Sequence, residues 1–311
     1  MTYLITGVAG FIGSSLARHL LEHDHTVYGL DNFETGDQSN MQDFANDPNF
    51  TFIEGDLRNT RDVTEAVADA TYILHQGAVP SVPRSVEDPV LSTEANCTGT
   101  ANLIDAARKA DAEKIVVASS SSVYGPTEIS PKHEDLPPNP VSPYALSKFY
   151  TERLAVQASE YYDLDSIALR YFNVFGPHQD PEGDYAAVIP KFIDLMLDGE
   201  RPPIYGDGTQ SRDFTYIDNV IQANLNAIES DATGEVLNVG CGDSITVNTL
   251  VEELNDILGT EIEPRYTDPR PGDVRHSKAS VSKAEELIGY HPTVSFREGL
   301  ERTVNWFQNV D

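Results

Sequence analysis

Short apolar runs separated by helix-period stretches organise the first half of the chain. Tyr3 to Thr6, Thr26 to Leu30, Thr51 to Glu54, Tyr72 to His75, Lys114 to Ala118 and Ser166 to Leu169 are brief apolar segments, several with β-branched or aromatic residues, which predicts strands. Ser14 to Glu22, Asp62 to Ala68 and Glu94 to Ala110 carry apolar residues at helical spacing and predict amphipathic helices between them. Alternation of this kind calls for an α/β fold, a doubly wound parallel sheet of Rossmann type with helices on both faces. After about residue 176 the rhythm breaks into loops rich in proline and glycine, such as Gly176-Pro177, Pro202-Pro203 and Gly206-Asp207-Gly208. Residues 1–176 are therefore expected to form the sheet domain and 177–311 a smaller, irregular α/β lobe. Glu235 to Val239 reads as a late strand, so 214–241 is expected to return to the sheet domain. There is no internal repeat and no low-complexity segment.

Composition narrows the classes. Hydrophobic residues make up 40% of the chain, and no apolar run approaches the roughly 20 residues that span a bilayer. The first residues carry no basic leader, so a cytoplasmic protein without a signal peptide is expected. On that expectation the triplets Asn49-Phe50-Thr51 and Asn96-Cys97-Thr98 are coincidental glycosylation matches. Cys97 and Cys241 are far apart, and the eight histidines form no HExxH-like set, so neither a disulfide framework nor a metal site is expected. Fifty acidic residues oppose 21 basic ones, a net charge of −29. Such a balance disfavours nucleic acid and anionic membranes, which need a positive surface. The acids are dispersed among well-patterned apolar segments, which points to a folded protein adapted to high salt rather than to disorder.

Four features carry chemistry. Gly7-Val8-Ala9-Gly10-Phe11-Ile12-Gly13 follows the first strand at once and opens the first helix, the place where glycines let a backbone approach a pyrophosphate at a helix N-terminus. Its spacing is one residue looser than G-x-G-x-x-G. Asp31 ends the second strand, where a carboxylate accepts from ribose hydroxyls and repels a 2′-phosphate, favouring NAD over NADP; Asp56-Leu57 follows the third strand and is placed to reach the adenine. The fifth strand runs into Ser119-Ser120-Ser121-Ser122-Val123-Tyr124-Gly125, at the carboxyl end where open α/β sheets hold ligands. Finally, Tyr144 and Lys148 sit four apart on one helix face. A tyrosine of pKa about 10 becomes a usable base when a cation favours its phenolate.

In this order, glycine loop, Asp31, serine cluster and Tyr144/Lys148 resemble the extended short-chain dehydrogenase/reductases, and within them the nucleotide-sugar 4-epimerases of the UDP-glucose/UDP-galactose type. The likeness runs nearly end to end and includes His75-Gln76-Gly77-Ala78, Asn96-Cys97-Thr98-Gly99-Thr100, Arg170-Tyr171-Phe172-Asn173-Val174-Phe175-Gly176-Pro177, Arg212-Asp213-Phe214-Thr215-Tyr216 and Pro269-Arg270-Pro271-Gly272-Asp273-Val274-Arg275-His276-Ser277. The resemblance implies an NAD-binding domain and a nucleotide-sugar lobe. It implies that Tyr144 takes the proton of the sugar 4-hydroxyl, giving a transient 4-keto sugar, and that Lys148 holds the nicotinamide ribose and lowers the tyrosine pKa. The catalytic Ser or Thr falls on Ser120, with Ser122 a second candidate. Phe11, Ile12, Asn32, Gln76, Ala78 and Asn96 join the glycines, Asp31, Asp56 and Leu57 as cofactor positions. Substrate positions fall on Ser120, Ser121, Asn173, Val188, Arg212, Arg270, Asp273 and Ser277, with Arg84 an additional candidate. The helices around Glu94 to Ala110 and Tyr144 to Tyr162 pair in that family as a dimer interface, so a homodimer is implied.

The same resemblance admits rivals. Nucleotide-sugar 4,6-dehydratases and decarboxylases carry an acid just before Val-Tyr-Gly, where this chain has Ser121 and Ser122. UDP-glucuronate 4-epimerases tend to have Thr at Asn173. A serine at 277, where strict glucose/galactose enzymes tend to be bulky, leaves room for an N-acetyl group. A non-catalytic NAD-binding regulator would be expected to lose the tyrosine or lysine, and both are present.

Overall fold

A computed structural model describes residues 1–182, 187–269 and 275–309. Seven parallel strands form the central sheet: β1 (Thr2–Thr6), β2 (Thr26–Asp31), β3 (Phe50–Glu54), β4 (Tyr72–His75), β5 (Lys114–Ser120), β6 (Asp165–Tyr171) and β7 (Glu235–Val239). Their spatial order is β7-β6-β5-β4-β1-β2-β3, so the chain reverses direction between β1 and β4. In such sheets the crevice beyond the strand ends at the reversal is where a ligand fits. The α/β class expected from the apolar rhythm is thus the one formed, and Glu235–Val239 lies at the sheet edge, parallel to β6.

Strand alternation splits the buried residues between two faces. Leu4, Leu30, Ile73, Ile115, Val117 and Ala168 pack on one side. On the other, Ile5, Leu74, Val116 and Ile167 share a continuous core with Ile189, Phe192, Leu250 and Val304 of the helices that follow residue 187. The later segments add short strand pairs, Ser211–Arg212 with Ile245–Thr246 and Pro203–Tyr205 with Arg265–Thr267.

Two departures from the expected elements matter for the site. β5 and β6 run on through polar residues, pairing Ser119 with Arg170 and Ser120 with Tyr171. The polarity is tolerated because Ser119 Oγ donates to Glu152 at 2.9 Å and Arg170 makes a buried pair with the same carboxylate at 2.7 Å. The single helix expected over Glu94 to Ala110 is instead a composite. An α-helix at Pro89–Thr93 passes through a π turn at Glu94–Thr98 into the helix Gly99–Lys109. The π turn rotates Asn96 into the interior, where it is 1% exposed.

Candidate active site

A cavity of about 920 Å³ lies along the carboxyl edge of the sheet. At one end Gly7 takes φ +71°, a conformation that favours glycine. Close packing also demands Gly13, where an added Cβ would lie 2.0 Å from the Gly7 carbonyl oxygen. The helix Phe11–Glu22 therefore begins hard against β1, and its N-terminus at Gly10 has no side-chain cap. Gly7, Gly10, Phe11, Ile12 and Gly13 all line the cavity. Uncapped N–H groups on a positive helix end suit a pyrophosphate.

Beyond this loop the cavity is acidic. Asp31 is 8% exposed and accepts from the N–H groups of Ala9 (2.9 Å) and Phe33 (2.8 Å). Burial raises its pKa despite those donors. Asn32 donates to Asp56, whose side chain also pairs with Arg58 and is held down to about 2, chiefly by that arginine. Leu57 lies beneath, against Gly77 and Gly99. Farther along the wall, Gln76 Nε2 donates to Tyr171 (3.2 Å) and Asn224 (3.3 Å), while its buried Oε1 has no partner among the described residues. Ala78 lines the same stretch.

The opposite end holds the proposed chemistry. The helix Pro143–Tyr161 starts with Ser142 as N-cap, its hydroxyl accepting from Ala145 N–H, and Pro143 in the first turn. This places Tyr144 in the first turn, where the helix dipole favours a phenolate. Lys148, one turn on, is 6% exposed and donates Nζ to the Ala118 carbonyl at 2.9 Å. Burial pushes its pKa down to about 8. Tyr144 is half-buried but densely surrounded; burial raises its pKa, and a hydrogen bond with Ser120 acts in the opposite direction. The expected lowering by Lys148 is thus not what governs the phenol here: loss of water outweighs the opposing influence of Ser120. Ser122 Oγ donates to Ser120 Oγ at 2.9 Å, so the two serine candidates form one hydrogen-bonded unit. Ser121 begins the same turn, Ser121–Tyr124. Tyr144 and Lys148 line the cavity; the three serines lie just past its end.

Several candidates fall outside the cavity wall. Asn96 accepts from Val79 N–H (2.7 Å) and donates to Val79 C=O (3.2 Å) and Ser147 Oγ (2.9 Å), so its side chain is committed to protein partners. Arg84 pairs with Glu34, a cavity residue, at 2.7 Å. Asn173 donates to the Asp213 carbonyl at 3.3 Å. Arg212 donates to the Ser211 carbonyl at 2.9 Å. Val188 opens the helix Val188–Leu197. Ser277 is 6% exposed, with its N–H on the Ser211 carbonyl at 3.1 Å. Arg270 and Asp273 lie outside the described residues.

Residues that motif reading left without a role also shape the site. His75 bridges Thr6 (2.7 Å) and Thr100 (2.9 Å), and burial lowers its pKa to about 3, so it stays neutral as a structural tie. Asp213 is fully buried, accepts from the N–H groups of Cys241, Gly242 and Ala279, and is raised by burial to about 6. Glu152 lies one turn beyond Lys148 on the same helix, a spacing that marks it as facing the same interior. Among the described residues no cluster of His, Cys, Asp or Glu is arranged to hold a metal ion, and no helix is long and apolar enough to cross a membrane.

A sheet reversal with a glycine-bounded helix N-terminus, an acid at the end of β2 and a Tyr/Lys pair at the far end define a dinucleotide-binding protein of the short-chain dehydrogenase/reductase class. The chain belongs to the NAD dependent epimerase/dehydratase family, whose model matches residues 3–240. It is similar to the UDP-glucose 4-epimerase of Mycolicibacterium smegmatis, 38% identical over 99% of both chains. Among solved structures it is similar to the UDP-N-acetylglucosamine 4-epimerase of Methanobrevibacter ruminantium M1 in complex with UDP-N-acetylmuramic acid (41% identity, TM-score 0.95, covering 99% of this chain and 98% of that one). It is also similar to the UDP-glucose 4-epimerase of Thermotoga maritima with UDP-glucose (37% identity, TM-score 0.94, 99% of both).

Proposed function

We propose that this protein is an NAD-dependent UDP-sugar 4-epimerase acting on UDP-glucose and UDP-galactose. The observation that carries the reading is the half-buried Tyr144, influenced by Ser120 and with Lys148 one turn away, at the end of a cavity that begins at an uncapped helix N-terminus.

The cavity residues fit a dinucleotide. Gly7 and Gly13 leave room only for backbone, the Gly10 helix end has no side-chain cap on its N–H groups, and Gln76 Oε1 has no donor among the described residues. Asp31 holds the adenosine ribose, with Asn32, Asp56 and Leu57 beside the adenine, and Lys148 holds the nicotinamide ribose. NAD, when bound, supplies the hydride acceptor and donor at the nicotinamide. Tyr144 removes the 4-hydroxyl proton and later returns it, and Ser120 bridges phenol and hydroxyl, with Ser122 ordering Ser120. General acid–base work of this kind contributes roughly 10²–10⁴-fold. Asn173, Arg212, Arg270 and Asp273 hold the nucleotide diphosphate, and Val188, Ser121 and Ser277 surround the ligand. Arg84 acts from the rim through its pair with Glu34. Residues 1–176 with 214–241 form the NAD-binding domain, and 177–311 otherwise the nucleotide-sugar lobe.

A small, buried serine at 277 favours a second substrate class, the N-acetylhexosamines, as does the 41% identity to a protein named as a UDP-N-acetylglucosamine 4-epimerase. The active form is a homodimer in a cytoplasm of high salt. Tyr144→Phe tests the mechanism: turnover of UDP-galactose falls at least ~100-fold while bound NAD is retained. Intact turnover in that variant would refute it.

A further inference from the structure

Tyr144 is held by its main chain as well as by its place on a helix. Its N–H donates to Ser85 Oγ at 3.0 Å. Ser85 is fully buried and donates in turn to the Val82 carbonyl at 2.7 Å, within the short helix Val82–Glu87. The Tyr144 carbonyl accepts from Ser147 Oγ at 2.8 Å. Ser147, 3% exposed, accepts from Asn96 Nδ2, and Asn96 grips both the N–H and the C=O of Val79. Gly77, Ala78 and Val79 are wall residues of the cofactor cavity. The peptide N–H of Tyr144 is therefore bonded directly to residues 79–85, and its carbonyl is tied to the same stretch through Ser147 and Asn96.

That stretch is itself under constraint. Ser81 has φ +92°, a value L-residues rarely adopt, and its hydroxyl accepts from Arg84 N–H at the start of the helix. Arg84 then pairs with Glu34 in the loop after β2, which also lines the cavity. A conformation of this kind persists only where surrounding bonds over-determine it. Here they aim Ser85 at the first turn of the helix that carries Tyr144, where an N–H would otherwise lack a partner.

We propose that Ser85, together with the Asn96–Ser147 pair, positions Tyr144: it clamps the tyrosine peptide at both ends to the cavity wall, so that phenol and cofactor wall move as one body. None of the three touches a reacting atom. The inference rests on the epimerase reading for its kinetic arm alone. Misplacing a reacting group by about 1 Å costs on the order of 100-fold in rate, so a loosened first turn is visible in kcat even when binding is intact.

The test compares wild type, Ser85→Ala, Ser147→Ala and Ser85→Thr, each with its NAD content measured. In Ser85→Ala, kcat for UDP-galactose falls about 10-fold while KM and bound NAD stay within about twofold of wild type, an effect on positioning rather than on binding. Amide exchange of a peptide spanning residues 142–146 accelerates on the order of 10-fold, while a peptide from the middle of the same helix is unchanged. Ser147→Ala shows the same split in smaller measure, and Ser85→Thr, which keeps the hydroxyl, restores both readouts. A kcat that is unchanged, or that falls only in step with lost NAD or raised KM, overturns the proposal. If wild type inverts no UDP-sugar, the substrate reading alone fails. Exchange in the NAD-loaded protein then decides the clamp, and an unaltered 142–146 peptide in Ser85→Ala overturns it.

Discussion

Tyr144 and Lys148 owe their meeting to a helix turn, and that much is readable from spacing. Their energetics are not, because burial is a property of the whole fold. A cation near the phenol argues for a lowered pKa; in the structure, burial raises the tyrosine and pushes Lys148 down to about 8. Asp213 shows the same effect more strongly, raised from 3.8 to about 6 in spite of three N–H donors. The folded state then holds a proton on Asp213 between those two pH values that the unfolded chain has released. Its contribution to stability is present below the lower value and lost as pH rises through about 6. The shift corresponds to about 3 kcal/mol. In Asp213→Asn, which is destabilised overall because an amide N–H₂ faces backbone donors, that pH-dependent loss disappears. Denaturant unfolding of both proteins across this range measures it; equal pH slopes would contradict the assignment. Asn96 gives a parallel lesson. Its place in a motif marks it as important, but the π turn that swings it toward Val79 and Ser147 leaves no signature in apolar spacing.

At the scale of elements, the strands were legible because parallel strands buried on both faces are short apolar runs. Their ends were not. β5 and β6 continue through Ser119, Ser120, Arg170 and Tyr171, and only the buried Glu152–Arg170 pair explains why polar residues extend a sheet there. The helix Pro143–Tyr161 has a second face. Leu146 is 58% exposed and Tyr150 43%, one turn apart, with Val86 and Val90 also exposed on the adjoining helices. Apolar residues grouped in this way mark an interaction surface. The homodimer reading makes them its contact, and Leu146→Glu is expected to convert a dimer to monomers in light scattering. A wild-type monomer at micromolar concentration, or a variant that stays dimeric, would exclude this face.

For the whole molecule, the dominant fact is a net charge of −29 carried on a folded chain. Charges of one sign repel across the surface until salt screens them over roughly 10 Å or less. Melting temperature should therefore climb as KCl is raised from dilute to molar concentration, and a maximum in dilute buffer would remove the high-salt reading. Charge also constrains ligand binding. In a protein this acidic, a diphosphate must be met by local cations or helix ends; the proposed function assigns that part to the Gly10 N-terminus and Arg212. One measurement tests C4 epimerisation by this protein most directly. Purified protein, with no NAD added, is mixed with UDP-glucose or UDP-N-acetylglucosamine and followed by NMR. Appearance of the C4-inverted sugar, abolished by Tyr144→Phe, is the predicted result. No inversion of any UDP-sugar by NAD-loaded protein, or inversion that survives Tyr144→Phe, would contradict it.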